Sequence, residues 1–325
     1  MSLEYRLIER DDLPALQRLW VEETQWGALT EQLWQRVVVE APLGGVSGTV
    51  ATDGATGEIV GQFAFVPSLV TVKGREYRAF RPGAPIVARS QRFRSVNPLA
   101  HPAVAMYMHA VKALRARGDG LIYMVPDPRW VRLFRMFPKL QGGTFPLWRL
   151  DLPLAAELPM PDGYTAAPLT TLDDERIDRL WTAWSRFHDC SVVRDSRSLP
   201  WKLGIDNYTV LGVERDGELV GLVASRRKGD RQWLVCDVLA ADERDALRAT
   251  FVAVVRLANE RALNAEASKP ICKVTVLVTP VMEPVLRSLG FVRDAYDFPV
   301  IIHILNPAIS KEDVAPSNWY VSAND

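Results

Sequence analysis

Apolar residues recur at helical spacing near the start of the chain. The stripe follows two aspartates, Asp11 and Asp12, and consists of Leu13, Leu16, Leu19 and Trp20. Acidic residues favour the start of a helix because they complement the helix dipole. The pattern therefore predicts a first amphipathic helix that begins after Asp12.

Strand-like and helical patterns then alternate. Residues of high β propensity fill Gly48–Val72 and Arg78–Ala88, with a turn at Gly74 between the two segments. A longer helix is predicted at Ala103–Arg117, and the apolar run Leu121–Val125 that follows it is typical of a buried strand. This succession predicts a mixed α/β fold.

The chain repeats this succession. The motif Gly57-Glu58-Ile59-Val60-Gly61 returns 160 positions later as Gly217-Glu218-Leu219-Val220-Gly221. The second motif lies within a strand-like segment at Tyr208–Arg226, as the first lies within Gly48–Val72. Strand-like and helical segments follow it at Gln232–Leu239, Asp242–Ala262 and Val274–Thr279. A second marker, Arg18-Leu19-Trp20, returns as Arg179-Leu180-Trp181 at an offset of 161. An offset shared by separate markers indicates a duplicated domain. We predict one copy at residues 1–153 and a second at 164–307, with a proline-rich linker at 154–163 and a tail at 308–325.

Composition narrows the class of protein. Lysine and arginine together number 39, as do aspartate and glutamate, so no overall field favours nucleic acid or anionic lipid. The charged start MSLEYRLIERDD is unlike a signal peptide, and no apolar stretch is long enough to span a bilayer. We expect a cytoplasmic protein that binds neither nucleic acid nor membrane.

The cysteines and histidines do not support a metal site. Cys190, Cys236 and Cys272 are widely spaced, which fits free thiols better than a disulfide framework or a Cys-rich zinc site. The four histidines do not cluster with carboxylates or thiols at ligand spacing. His188 could act as a base for a nucleophilic Cys190 thiol. The side chains of residues so close in sequence rarely point together, however, so we expect no catalytic cysteine. No metal is expected.

Two side chains are candidates for proton transfer. His101 could deprotonate a substrate near neutral pH, and Asp127 is a carboxylate held in a turn between two prolines. Each has a structural alternative, because His101-Pro102 is also an ordinary start for a helix and aspartate is a common turn residue. Both interpretations remain open.

Three segments resemble the GNAT superfamily of N-acyltransferases. They are VGQFAFVPSLVTVKGREYRA from Val60, SQRFR from Ser90 and YMVPDPRWVRLF from Tyr123. The chain looks especially like tandem members of the bacterial amino-sugar acyltransferase type. The resemblance implies two domains, each with a mixed, mostly antiparallel sheet flanked by helices. It also implies transfer of an acyl group from acyl-CoA to the amine of a small molecule such as an amino sugar, free or nucleotide-linked.

The same resemblance implies where the acyl donor binds. In such proteins a turn after the fourth strand holds the donor's pyrophosphate on backbone N–H groups. Here that turn spans Ser90–Leu99, and the residues implied to bind acetyl-CoA or another acyl-CoA are Val87, Ala88, Arg89, Arg92, Arg94 and Asn97. Tyr123 lies on the strand that flanks the donor cleft, which implies a role as acid toward the leaving thiolate, with packing in the core as the alternative.

The chain departs from the family pattern at both turns. Asn97 and Pro98 stand where the family usually has glycine, and Ala240–Asp245 in the second copy has three acids and no glycine. Acidic side chains repel phosphate, so we expect the donor in the first copy. The degenerate turns leave two further hypotheses open: that the donor is a carrier protein or an aminoacyl-tRNA, and that the chain is a non-catalytic binding subunit.

Overall fold

Strands and helices alternate along the chain in the computed structural model, which describes residues 2–25, 28–35, 43, 47–92, 97, 100–126, 131, 140–204, 207–263 and 270–325. The strands are β1 (Leu3–Leu7), β2 (Ser47–Asp53), β3 (Ile59–Val72), β4 (Arg75–Val87), β5 (Leu121–Met124), β6 (Leu140–Asp151), β7 (Tyr164–Pro168), β8 (Cys190–Val192), β9 (Thr209–Arg215), β10 (Glu218–Lys228), β11 (Gln232–Ala240), β12 (Lys273–Leu277), β13 (Val292–Ile304) and β14 (Trp319–Tyr320). The helices are α1 (Leu13–Glu23), α2 (Glu31–Trp34), α3 (Arg89–Arg92), α4 (Pro102–Ala116), α5 (Glu175–Ser185), α6 (Ser198–Leu203), α7 (Asp245–Leu263) and α8 (Glu283–Ser288). Short 3-10 turns lie at Arg10–Asp12, Pro280–Met282 and Pro316–Asn318.

The chain folds into two compact units. The first contains Met1–Val70, Glu76–Gln141 and Ile301–Lys311, and the second contains Thr71–Arg75, Gly142–Val300 and Glu312–Asp325. Each unit has a mixed, mostly antiparallel sheet with helices beside it, so the predicted fold class is confirmed.

In the first unit the strand order is β1-β2-β3-β4-β5, and residues 301–304 of β13 pair with β5. The pairs β1–β2, β2–β3 and β5–β13 are antiparallel, while β4 and β5 are parallel. Helix α4 lies on this sheet, and its Tyr107 packs with Phe63 and Phe65 at ring-centroid distances of 5.9 Å. Thr49 also donates a hydrogen bond to the carbonyl of Met106 (3.0 Å), which ties α4 to β2.

The repeated glycine motif places glycine where the backbone has a positive φ angle and where a helix packs closely against a strand. Gly57 and Gly217 adopt φ angles of 73° and 81°, the left-handed region that favours glycine, in the turns before β3 and β10. Gly61 lies where a Cβ atom would approach Met106 of α4 to 3.1 Å, and a Cβ on Gly221 would collide with Thr250 of α7. The motif therefore marks the same structural position in each unit.

The second unit repeats the layout. Its strand order is β13-β6-β12-β11-β10-β9-β7, with the first part of β13 at one end. Helices α5 and α7 pack on β10 and β11. Phe251 of α7 is fully buried and meets Phe291 edge to face at 6.3 Å. These contacts bury the apolar stripes that the sequence predicts.

The units differ from the predicted domain boundaries. From Gly142 onward β6 belongs to the second unit and pairs with β12, although it precedes residue 153. The predicted linker, 154–163, contains neither helix nor strand and lies within the second unit. The predicted tail is also different, because Trp319 and Tyr320 are buried and pair with β8. Tertiary packing selects strand partners, and a linear repeat does not encode that selection.

Candidate functional site

The first unit contains a slot between two parallel strands. Strands β4 and β5 are joined by the pairs Ala79↔Leu121 and Phe80↔Ile122. Strand β4 continues from Phe80 to Val87, beyond the register that joins it to β5. Among the described residues, Pro85–Val87 of β4 therefore lie beyond the part of β4 that pairs with β5.

A cleft of about 380 Å³ lies at this end of β4. It is lined by Glu23, Thr24, Gln25, Pro85, Ile86, Val87, Arg92, His101 and Ala103. The residue after β4 is anchored, because the Ala88 N–H donates to the carbonyl of Val60 at 2.8 Å. The end of β4, Arg92 and His101 therefore line the same cleft.

Arg92 is held at the cleft by three acceptors. Its Nε donates to the Val87 carbonyl at 2.7 Å, and its terminal nitrogen contacts the Glu23 carboxylate at 2.7 Å and the Glu23 carbonyl at 3.4 Å. About a third of the Arg92 side chain is exposed, whereas that of Arg89 is 79% exposed. Two cations therefore stand at the turn where the sequence predicts donor phosphates.

His101 caps helix α4. Its Nδ1 accepts a hydrogen bond from the Ala103 N–H at 3.2 Å, and its backbone is extended, as a capping residue requires. Burial and the nearby charge of Arg92 lower the pKa of His101 below its ordinary value. The imidazole is therefore neutral near pH 7, and with Nδ1 used as an acceptor the proton belongs on Nε2. His101 lines the cleft, and this tautomer gives its ring an Nε2–H hydrogen-bond donor. Its role as a base stays a prediction.

Tyr123 lies on β5 and is buried. Its hydroxyl is 3.2 Å from the Ser68 Oγ of β3. Its neighbours Ile122 and Met124 join the core around α4, and alternation along a strand places Tyr123 on the opposite face of the sheet. The cleft lining does not include Tyr123 among the described residues.

Three other predicted residues complete the comparison. Asn97 is exposed, and its carbonyl accepts a hydrogen bond from the Ala100 N–H at 3.0 Å. Arg94 and Asp127 lie outside the described residues. The structure therefore brings Val87, Arg92 and His101 together at one cleft.

The equivalent strand edge in the second unit is occupied. Ala241 corresponds to Ala88, because its N–H donates to the carbonyl of Val220 at 2.8 Å. Three residues earlier, Val238 corresponds to Pro85. The Val238 N–H donates to the Tyr320 hydroxyl at 2.9 Å, and that hydroxyl donates to the Val238 carbonyl at 2.6 Å. Tyr320 therefore uses the strand edge whose counterpart in the first unit lines the cleft.

The turn after β11 is also satisfied internally. Asp242 accepts hydrogen bonds from the Arg244 and Ala246 N–H groups at 2.9 and 3.1 Å. A carboxylate thus occupies the N–H groups that a phosphate would need, as the acidic sequence of this turn predicts. These contacts argue against an anion site at the start of α7.

A buried ionic network lies behind Tyr320. Arg194 pairs with Asp237 at 2.6 Å and with Asp325 at 2.5 Å, and Lys202 contacts both carboxylates. Although burial alone would raise it, the charges of Arg194 and Lys202 hold the pKa of Asp325 well below its ordinary value. Two cations face two anions, so the network is balanced and structural rather than open to a ligand.

The remaining sequence candidates have structural roles. Burial raises the pKa of the Cys190 thiol well above its ordinary value, which makes this residue a poor nucleophile.

Across the described ranges, no group of three or more histidine, cysteine, aspartate or glutamate side chains is placed to hold a metal ion. Within the same ranges, no helix combines the length and apolar character needed to cross a membrane.

Glu23 is the charged residue of the cleft lining that sequence reasoning missed. It is the last residue of α1, and its carboxylate accepts a hydrogen bond from the Arg89 N–H at 3.1 Å in addition to its contacts with Arg92. A signal was present in the sequence, because the Glu22-Glu23 pair follows the apolar stripe of the first helix, and acidic side chains at the end of a helix oppose its dipole. Its partner at Arg92 is distant in sequence and could not be predicted.

Comparison of the sequence with family models and with curated proteins finds no match. Comparison of structures does find similar folds. A GCN5-related N-acetyltransferase from Anabaena variabilis aligns with a TM-score of 0.66 and 13% identity over 94% of this chain and 73% of that one.

Two further structures extend the comparison. A GCN5-related N-acetyltransferase from Kribbella flavida aligns with a TM-score of 0.64 and 16% identity over 94% of this chain and 72% of that one. The N-myristoyltransferase of Saccharomyces cerevisiae, solved with bound myristoyl-CoA, aligns with a TM-score of 0.58 and 11% identity over 100% of this chain and 84% of that one. The resemblance inferred from sequence is confirmed at the level of fold: this chain has the fold of the GCN5-related N-acetyltransferases.

Proposed function

We propose that this chain is an N-acyltransferase that moves an acyl group from acyl-CoA to the amine of a small molecule. The donor binds in the cleft of the first unit, at the end of β4 and the turn that begins with Arg89. The first acceptors to test are amino sugars, free and nucleotide-linked. The fold shared with N-acyltransferases and with a myristoyl-CoA complex supports this choice of chemistry.

One observation carries the assignment of the donor to the first unit. The β4 edge at Pro85–Val87 lines an open cleft, whereas the equivalent β11 edge at Val238 is hydrogen bonded to Tyr320. An extended ligand needs free backbone groups along a strand and cations near its phosphates. The first unit offers cations and an open strand edge at one place. Pro85 has no N–H and Arg92 occupies the Val87 carbonyl, so a ligand would pair with the Pro85 carbonyl and the Val87 N–H.

The chemistry asks little of the protein because a thioester is already activated. The amine must lose a proton, the carbonyl must be polarised and the leaving thiolate must be protonated. The neutral His101 offers an Nε2–H donor in the cleft for one of the last two tasks. Tyr123 offers a hydroxyl that lies within hydrogen-bond distance of the Ser68 hydroxyl, so it acts only if the donor reaches that side of β5.

Removal of the Arg92 guanidinium should weaken donor binding. We expect the affinity of Arg92→Ala for acetyl-CoA and for a longer acyl-CoA to fall about 10- to 100-fold, since charge-assisted contacts to phosphate are worth about 1.5 to 3 kcal/mol. Calorimetric titration measures the change. Arg10→Ala is the matched control, because Arg10 is an exposed arginine of the same unit that does not line the cleft.

The titration also separates the alternatives. Equal affinity in Arg92→Ala and wild type would remove the donor from this cleft. Absence of binding by either acyl-CoA would reject coenzyme A as the donor carrier, and titration with an acylated carrier protein and an aminoacyl-tRNA would follow. Thermal unfolding of each variant shows whether the loss of a contact to Val87 and Glu23 has disturbed the fold.

Substitutions at His101 separate its capping role from its chemical role. His101→Asn keeps a side-chain acceptor for the Ala103 N–H, so we expect unfolding close to wild type, whereas His101→Ala should lose about 1 kcal/mol with the cap. Both should lower the acyl-transfer rate at least about tenfold if Nε2 donates a proton or hydrogen bond to the reacting group. A fully active His101→Asn enzyme would leave His101 with the capping role alone.

A further inference from the structure

Glu23 occupies the place where the proposed function puts the donor's phosphates. Its carboxylate is 2.7 Å from the Arg92 guanidinium, 3.1 Å from the Arg89 backbone nitrogen and 3.8 Å from the Arg89 side chain. The Glu23 side chain is only 13% exposed. One internal anion therefore uses a backbone N–H group and two cations that an external anion would need.

The local structure does not favour this position for a glutamate. Glu23 ends helix α1, where the backbone carbonyls concentrate negative partial charge. Arg92 compensates by binding both the carboxylate and the Glu23 carbonyl. The glutamate is held by tertiary contacts across 66 and 69 residues of sequence, to Arg89 and Arg92, and not by its own helix.

The second unit shows what a permanent internal anion looks like. Asp242 caps N–H groups two and four residues further along the chain, so its carboxylate is fixed by the same turn that it satisfies. The Glu23 carboxylate instead stands on a flexible side chain beside an open cleft. Because the contacts to Arg89 and Arg92 are made by the end of this side chain, a change of its rotamer alone would release them.

We infer that Glu23 is an intramolecular competitor for anionic ligands at the Arg89–Arg92 turn, which the acyl donor displaces when it binds. The inference rests on the proposed function for the identity of the donor, but the competition itself concerns any pyrophosphate group. A ligand with one weak anionic group fails to displace the carboxylate, whereas a pyrophosphate offers more charge and more acceptor oxygens. Glu23 thus sets a lower limit on the charge of ligands that the cleft accepts.

The test compares Glu23→Gln with wild type by calorimetric titration of two probes, inorganic pyrophosphate and acetyl-CoA. Glutamine keeps the shape and a carbonyl acceptor but loses the charge. We expect Glu23→Gln to bind pyrophosphate about tenfold more tightly, because the charge-assisted contact to Arg92 becomes a weaker neutral one. Glu22→Gln removes the same charge one residue away, from an exposed side chain, and should bind within about twofold of wild type.

The two probes distinguish failure of this inference from failure of the proposed function. Equal pyrophosphate affinity in Glu23→Gln and wild type, undetectable binding by both, or an equal gain in Glu22→Gln would overturn the competitor role, whatever acetyl-CoA does. Tighter pyrophosphate binding without acetyl-CoA binding would keep the competitor and reject the proposed donor. Thermal unfolding of Glu23→Gln confirms that the variant is folded, and Glu23→Asp, which keeps the charge on a shorter side chain, provides a second folded comparison.

Discussion

Replacement of Arg194 by alanine is expected to lower the free energy of unfolding by about 3 to 5 kcal/mol, the largest loss we predict for a single substitution. The Arg194 side chain is fully buried and pairs with Asp237 and Asp325. Its removal takes away one of the two cations, Arg194 and Lys202, that contact both buried carboxylates. An uncompensated charge in the interior costs several kcal/mol. Removal of one partner therefore lowers the free energy of unfolding more than replacement of the whole network by apolar residues would.

Urea denaturation followed by circular dichroism measures this loss. Arg179→Ala is the control within the same unit, because Arg179 is 60% exposed and lies 3.8 Å from Glu175. Exposed pairs contribute about 0 to 1 kcal/mol, so this variant should unfold nearly as wild type does. A loss below about 1 kcal/mol in Arg194→Ala would show that the network is hydrated and that Tyr320 does not depend on it for its position.

Acidification from about pH 6.5 to about pH 4.5 is expected to cost about 2 kcal/mol of stability through His188 alone. The ring of His188 stacks on Tyr320 at 5.0 Å and meets Trp184 edge to face at 4.9 Å. Burial and the nearby positive charge of Arg194 lower the pKa of His188 from 6.5 to about 3. Since the folded protein holds this ring neutral, the unfolded chain binds more protons between these two values. Above about pH 6.5 the ring is mostly neutral in both the folded and the unfolded state, so the free energy of unfolding does not depend on it. As the pH falls from 6.5 towards 3, protonation of His188 in the unfolded chain lowers the free energy of unfolding.

The variant His188→Phe isolates this effect. Phenylalanine keeps an aromatic ring against Tyr320 and Trp184 but does not titrate, and the His188 Nε2 has no hydrogen-bond partner within the described part of the chain that would be lost. Between about pH 6.5 and about pH 4.5, we expect the free energy of unfolding of His188→Phe to fall by about 1.4 kcal/mol less per pH unit than that of wild type. His109→Phe, at a partly exposed position on α4, is the control. Parallel pH profiles for His188→Phe and wild type would contradict a buried neutral imidazole.

Secondary structure and the duplication could be predicted because both depend on local pattern. The stripe from Leu13 to Trp20 became α1, the turn at Gly74 joined β3 to β4, and the glycine motif returned at the same position of both units. Side-chain spacing, β propensity and glycine conformation act over a few residues. The fold class followed from their order.

The candidate site could be predicted only in part. Val87, Arg92 and His101 do line one cleft, since the family resemblance locates the end of the fourth strand. The contact between Glu23 and Arg92 joins residues 69 positions apart and has no local pattern. The tautomer of His101 likewise depends on the Ala103 N–H, which only the folded helix presents.

The sequence by itself determined the elements, their duplication and the acidic character of the turn at Asp242, because each results from interactions between neighbours along the chain. Tertiary structure alone decided that β6 joins the second unit, that Tyr320 closes the edge of β11 and that Glu23 stands among the cations of the first turn. These outcomes depend on which backbone groups and charges meet across long separations in sequence. Buried backbone groups and charges must be paired, but the residue that pairs with each of them is not marked by any periodic pattern in the sequence.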